Sequence, residues 1–139
     1  ARGGYGGARL LEDWHWHWTE PKWLVGFSDI TALLMSLSQQ GVSGVHGPLL
    51  TTIAKEPTWS IQRLFDWVEG RSLDPLQGVG WGNGQASGLL LPINLTVATN
   101  LLGTPIQPDL TNLILAIEDV GEAPYRIDRM LTQWRLGGW

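Results

Sequence analysis

The feature that most constrains this chain is an abrupt change of hydrophobic period between residues 22 and 37. Lys22-Trp23-Leu24-Val25 is a short apolar run of strand length, bounded by Pro21 and Gly26. Ile30, Leu33, Leu34 and Leu37 then recur at i, i+3, i+4 and i+7, one face of a helix, and Gly41 suits its C-terminal cap. Gly26-Phe27-Ser28-Asp29 joins the two patterns, so strand passes to helix through a tight turn that carries a serine. A chain built on such units is α/β.

The alternation continues downstream. Ile61, Leu64, Phe65 and Val68 mark a second helix that stops at Gly70. Arg71 to Ser87 has glycines and polar residues without apolar periodicity, and reads as a loop that covers or lines something, or as a linker. Leu89 to Leu91 is a short strand, Asn94 to Leu102 a helix, and Leu113 to Ile117 the best strand in the chain. Pro124 suits the first turn of a last helix, whose buried stripe is Ile127, Met130, Leu131 and Trp134. Ala1 to Arg9 reads as a glycine-rich loop rather than a helix start. No internal repeat is visible.

Composition narrows the partners. Hydrophobic residues make up 43% and charged residues 16%, which is globular rather than disordered. A net charge of −4 leaves no basic footprint for nucleic acid, and no apolar run reaches the length of a membrane span. The absence of cysteine excludes disulfides, thiol nucleophiles and thiolate metal sites, and fits a reducing compartment. The chain begins at Ala1 without a signal-like segment, so a preceding part is expected to have been removed or omitted.

A serine on a sharp strand-to-helix turn projects its hydroxyl from the sheet end, beside backbone N–H groups able to stabilise an oxyanion. Here Ile30 stands where the general G-x-S-x-G pattern has its second glycine, and helix capping by Ser28 or Asp29 explains the turn equally well. Gly3, Gly4, Gly6 and Gly7 allow backbone amides to approach a ligand as an oxyanion hole or anion nest would. The Leu113–Ile117 strand delivers Glu118 and Asp119 at its C-terminal end, where a carboxylate can orient a protonated base or simply cap a turn. Arg126 is suited to a substrate carboxylate, or to an i, i+4 surface pair with Glu122. Trp14-His15-Trp16-His17-Trp18 would place two histidines on one face of a strand, too few for a zinc site, so packing or an interface is expected of its tryptophans. No cofactor or metal is expected.

Several blocks together resemble a known family. Arg2-Gly3-Gly4-Tyr5-Gly6, residues 21–34 (PKWLVGFSDITALL), His46-Gly47-Pro48, Leu102-Gly103-Thr104-Pro105 and residues 118–131 (EDVGEAPYRIDRML) are similar, in order, to the LD-carboxypeptidases, also called muramoyltetrapeptide carboxypeptidases. The resemblance implies a two-domain α/β fold with a Rossmann-like N-terminal part. It implies a metal-independent serine peptidase with a Ser-Glu-His triad. Such an enzyme hydrolyses the LD bond that holds the terminal D-alanine of a murein tetrapeptide, in cytoplasmic cell-wall recycling. Ser28 matches the nucleophile, and Glu118, rather than Glu122, matches the triad acid. The glycine loop, Gly3 and Gly4, together with the Asp29 N–H matches the oxyanion hole.

Two departures qualify what is carried over. Pro92-Ile93-Asn94 stands where the family has Gly-Gly-Asn. The family's base histidine lies downstream of the EDVGE block, whereas His15, His17 and His46 all precede Glu118. For His46, in the family's own His-Gly-Pro segment, a structural hydrogen bond is expected. The resemblance therefore implies a central segment, inactive alone. Residues 1–55 would belong to the nucleophile domain, 56–87 to a helix and connecting loop, and 88–139 to the start of the C-terminal domain. The implied partners are a murein peptide, the remainder of the same enzyme, and a second copy in a homodimer. Two alternatives stand beside this reading. One is the microcin-immunity type of the family, which acts on a peptidyl- or aminoacyl-adenylate analogue whose base Trp81 would stack on. The other is a non-catalytic binding piece.

Overall fold

The computed structural model describes residues 3–17, 19–20 and 22–139. Trp18 of the tryptophan run, Pro21 and Arg2 of the first family block lie outside them. In chain order the elements are α1 (Gly7–Leu10), β1 (Val25–Gly26), α2 (Thr31–Gln39), β2 (Val45–His46), α3 (Thr58–Val68), β3 (Leu89–Asn94), α4 (Leu95–Asn100), β4 (Leu113–Glu118) and α5 (Pro124–Leu136). One-turn 3₁₀ segments at Ser28–Ile30 and Ile53–Lys55 precede α2 and α3. Both strand pairs are parallel: β1 with β2, and β3 with β4. The fold is α/β.

The change of period at residue 26 becomes the β1–turn–α2 unit. Its strand is shorter than the apolar run suggested, because Val25–Gly26 alone pairs with Val45–His46. The helix is buried more widely than the Ile30–Leu37 stripe implied. Thr31, Ala32 and Met35 are buried along with Leu34 and Leu37, because α2 packs against α1, β2 and α4 at once. Gly41 terminates the segment with φ 71, a conformation that a Cβ would strain. One short helix was unexpected. Gly7–Leu10 lies partly within the glycine-rich stretch, and the Gly7 N–H donates to Asp29 Oδ2 at 2.7 Å, so a contact with the serine turn fixes its first residue.

The second sheet forms the larger core. Ala32, Met35, Leu91, Ile93, Leu95, Ala98, Leu101 and Trp134 are its buried members. Trp134 fills the space between α4 and α5 and satisfies its indole N–H on Thr99 Oγ1 at 2.8 Å. Ile127 and Met130 pack at the margin of this core. Leu131, expected in the same stripe, is 44% exposed, since α5 turns only one narrow side inward. Likewise the α3 stripe is half-buried rather than core, and Phe65 is 45% exposed. Residues 71–87 hold no regular secondary structure, and no helix among the described residues is long and apolar enough to cross a membrane.

Candidate active site

Ser28 sits at the first position after β1 and Phe27, with φ 62. An L-residue resists that left-handed conformation because its Cβ crowds the following carbonyl. Ser28 and Asn112 are the two non-glycine residues that adopt it among the described residues. A serine needed only as a helix cap takes an extended backbone and accepts an N–H from the first turn. Ser28 does neither: Phe27 holds the cap position in extended conformation, and no side chain caps the turn. Its left-handed backbone is instead the kind of strained turn on which a nucleophile elbow is built.

The glycine loop lies against this serine. A Cβ placed on Gly3 would meet Ser28 Cβ at 3.1 Å and Ser28 Oγ at 3.4 Å. Gly4 has φ 151 and faces open space, so it does not touch the serine through its Cα. The sequence gives no sign of what holds the loop there, which is Gly7. Its N–H bonds the Asp29 carboxylate, and a Cβ on it would come within 2.7 Å of the Asp29 carbonyl oxygen. Asp29 therefore serves the site twice, its side chain fixing the loop and its backbone N–H opening the helix.

Glu118 closes β4 and is paired in register with Asn94 at the end of β3. Asn94 Nδ2 donates to Glu118 Oε1 at 3.2 Å, while Asn94 Oδ1 accepts the Val97 N–H at 3.0 Å and so caps α4. The Asn94 N–H donates to Thr31 Oγ1 at 3.1 Å, which links this strand end to the helix that Ser28 opens. Asp119 has a different task. Its Oδ2 accepts from Thr96 N at 2.9 Å and Thr96 Oγ1 at 2.6 Å, and Oδ1 accepts from Val120 N at 2.8 Å. Burial pushes the Asp119 carboxyl up, but these bonds and that from Asn94 outweigh it and hold it below the usual aspartate range. Of the two acidic residues at the strand end, Asp119 is thus the structural one.

His46, at the end of β2, brings Glu118 and the serine turn together. Its Nε2 lies 3.4 Å from Glu118 Oε1, yet neither ring nitrogen makes a hydrogen bond among the described residues, so the structural hydrogen bond expected of His46 is not formed. Burial lowers the His46 pKa below the usual value, and the neighbouring Glu118 charge only partly opposes this. The imidazole is therefore neutral at neutral pH. A cleft of about 470 Å³ opens here, lined by Phe27, His46, Gly47, Glu56, Trp59 and Glu118 among others. A larger hollow of about 580 Å³ beside Lys22, Trp23 and Gly41 contains none of the candidate residues.

The remaining sequence candidates stand apart from this cleft. Arg126 is exposed and pairs with Glu122 at 3.5 Å, the i, i+4 contact anticipated as its alternative. Trp81 is 96% exposed within the irregular 71–87 segment. His15 and His17 are exposed, whereas Trp16 donates to Ser36 Oγ at 2.9 Å and stacks edge-on with Trp14.

This geometry can be set beside known proteins. Two models of one family match: the LD-carboxypeptidase N-terminal domain over residues 1–47 and the LD-carboxypeptidase C-terminal domain over residues 87–139. A Synechocystis sp. protein named as a carboxypeptidase is 57% identical over 139 residues, which is 99% of this chain and 46% of that protein. The murein tetrapeptide carboxypeptidase of Pseudomonas aeruginosa is 32% identical over 97% of this chain and 48% of its own length. The crystal structure of muramoyltetrapeptide carboxypeptidase from Oxalobacter formigenes superposes with a TM-score of 0.72 at 29% identity, covering 99% of this chain and 50% of that one. The chain belongs to the LD-carboxypeptidase family. It spans about half the length of the relatives it matches.

Proposed function

We propose that this chain carries the nucleophile and the triad acid of a serine LD-carboxypeptidase, which releases the terminal D-alanine of a murein tetrapeptide in the cytoplasm. The observation that carries the reading is the positive φ of Ser28 on a strand-to-helix turn, with Gly3 packed against its hydroxyl. The names of the relatives supply the substrate class.

In this mechanism a histidine base, oriented by the Glu118 carboxylate, removes the Ser28 Oγ proton as Oγ attacks the LD carbonyl carbon. Negative charge moves to the carbonyl oxygen, where the Asp29 N–H and the amides of the Gly3–Gly4 loop receive it. The C–N bond then breaks, the base returns its proton to the departing amine, and D-alanine leaves. Water, deprotonated by the same base, attacks the Ser28 ester and restores the hydroxyl. Glu118 stays ionised throughout and balances the imidazolium, so the carboxylate must be held with an oxygen available to the base.

The test is D-alanine release from a murein tetrapeptide by the full native polypeptide and by Ser28→Ala. A fall in kcat of at least about 10³-fold is expected. Equal rates would remove Ser28 as nucleophile.

A further inference from the structure

Glu118 is engaged at one oxygen only. Oε1 accepts from Asn94 Nδ2 at 3.2 Å and faces His46 Nε2 at 3.4 Å, whereas Oε2 has no hydrogen-bond partner among the described residues. The His46 side chain is 12% exposed and the Glu118 side chain 34%. The histidine is thus the inner member of the pair, and the carboxylate faces the cleft.

The backbone of His46 is fastened to the strand that feeds the serine turn. Val45 N donates to Leu24 O at 2.9 Å and Gly47 N to Gly26 O at 3.1 Å, so His46 stands level with Gly26, two residues before Ser28. A closed path follows: from Ser28 back along β1 to His46, to Glu118, through Asn94 to Thr31 Oγ1, and so to the helix that Ser28 opens. Every link is a backbone pairing or a side-chain hydrogen bond except the 3.4 Å contact between His46 and Glu118. The path ties the serine turn to the acid through the strand ends and α2.

The chemistry of an imidazole suits this place. A lysine or arginine against Oε1 would neutralise charge that Glu118 needs for a protonated base. A buried neutral imidazole donates one N–H and leaves the carboxylate charge intact. At 3.4 Å the two atoms face each other without a formed hydrogen bond, and catalytic hydrogen bonds commonly tighten only when substrate closes a site.

We propose that His46 is a positioning residue, donating Nε2–H to Glu118 Oε1 and so directing Oε2 toward the catalytic base. The proposal rests on Glu118 as the triad acid. His46 transfers no proton in the reaction. Its contribution is to keep the acid in the one orientation that serves the base.

The experiment is steady-state D-alanine release from murein tetrapeptide by the full native polypeptide, with melting temperature measured on each variant. His46→Ala is expected to lower kcat about 10- to 100-fold, the worth of a hydrogen bond to a charged group, and to leave KM within about threefold. His46→Gln, whose side-chain amide restores a neutral donor, is expected to recover most of that loss. If His46→Ala fails to fold, His46→Phe fills the space without a donor and takes its place. Wild-type kcat in the donor-less variant would overturn the proposal, as would a loss in His46→Gln equal to that in His46→Ala. A fall of both to the Ser28→Ala level would assign His46 as the base itself and also overturn it. The underlying reading fails separately, if Ser28→Ala and Glu118→Ala release D-alanine at the wild-type rate.

Discussion

Ser28 holds a left-handed backbone that costs stability. A left-handed serine costs about 1–2 kcal/mol relative to a residue without a Cβ, and nothing in helix capping requires it here. Ser28→Gly is therefore expected to raise the unfolding free energy by about 1 kcal/mol in urea titration, while abolishing D-alanine release. A variant no more stable than wild type would show that the backbone strain is not stored at this residue. Sequence alone left the serine ambiguous, because Ser and Asp are good cap residues and dihedral angles have no signature in composition. His46 was equally opaque. A lone histidine before Gly-Pro is unremarkable until strand register places it against a carboxylate from the far end of the chain.

At the scale of elements, the strand end at Glu118–Asp119 divides labour between neighbours. Period-2 alternation turns adjacent strand residues to opposite faces, but here the strand ends at Glu118, and Asp119 bends back onto α4. Asp119→Ala strips the Thr96 N–H and hydroxyl of their acceptor, and is expected to cost about 1–2 kcal/mol in thermal or urea unfolding. A change near zero would mean that Asn94 caps α4 unaided. Most strands and helices were legible in the hydrophobic period, from the β1–α2 unit to the aliphatic run of β4 and Pro124 at the start of α5, whereas α1 and the two-residue β2 were not. Nor were the limits of the others. The β1 strand is cut to two residues by its partner, and Leu131 stays exposed because helix packing, not periodicity, decides how wide a stripe is covered. Asn94 was legible as the start of a helix, but its bonds to Glu118 and Thr31 depend on parallel register, which no local pattern encodes.

For the molecule as a whole, two parallel strand pairs point their C-terminal ends at one cleft, and a largely buried neutral histidine lies between them. Because the His46 pKa is lowered in the folded protein, folding binds fewer protons there than the unfolded chain does below about pH 6.5. Its contribution to stability is intact above that pH and declines as pH falls toward the folded value. Carboxylates titrate in part of the same range, so the measure is a difference: wild type is expected to lose more melting temperature than His46→Gln between about pH 7 and pH 5. Parallel curves would contradict a buried neutral imidazole. The account as a whole depends on Ser28 being a nucleophile activated by a base that Glu118 orients. The most direct measurement is mass-spectrometric mapping of the full native polypeptide after reaction with a serine-directed fluorophosphonate. The account predicts a single adduct on Ser28 that forms much more slowly in Glu118→Ala. An unmodified Ser28 in a preparation that still releases D-alanine would contradict it.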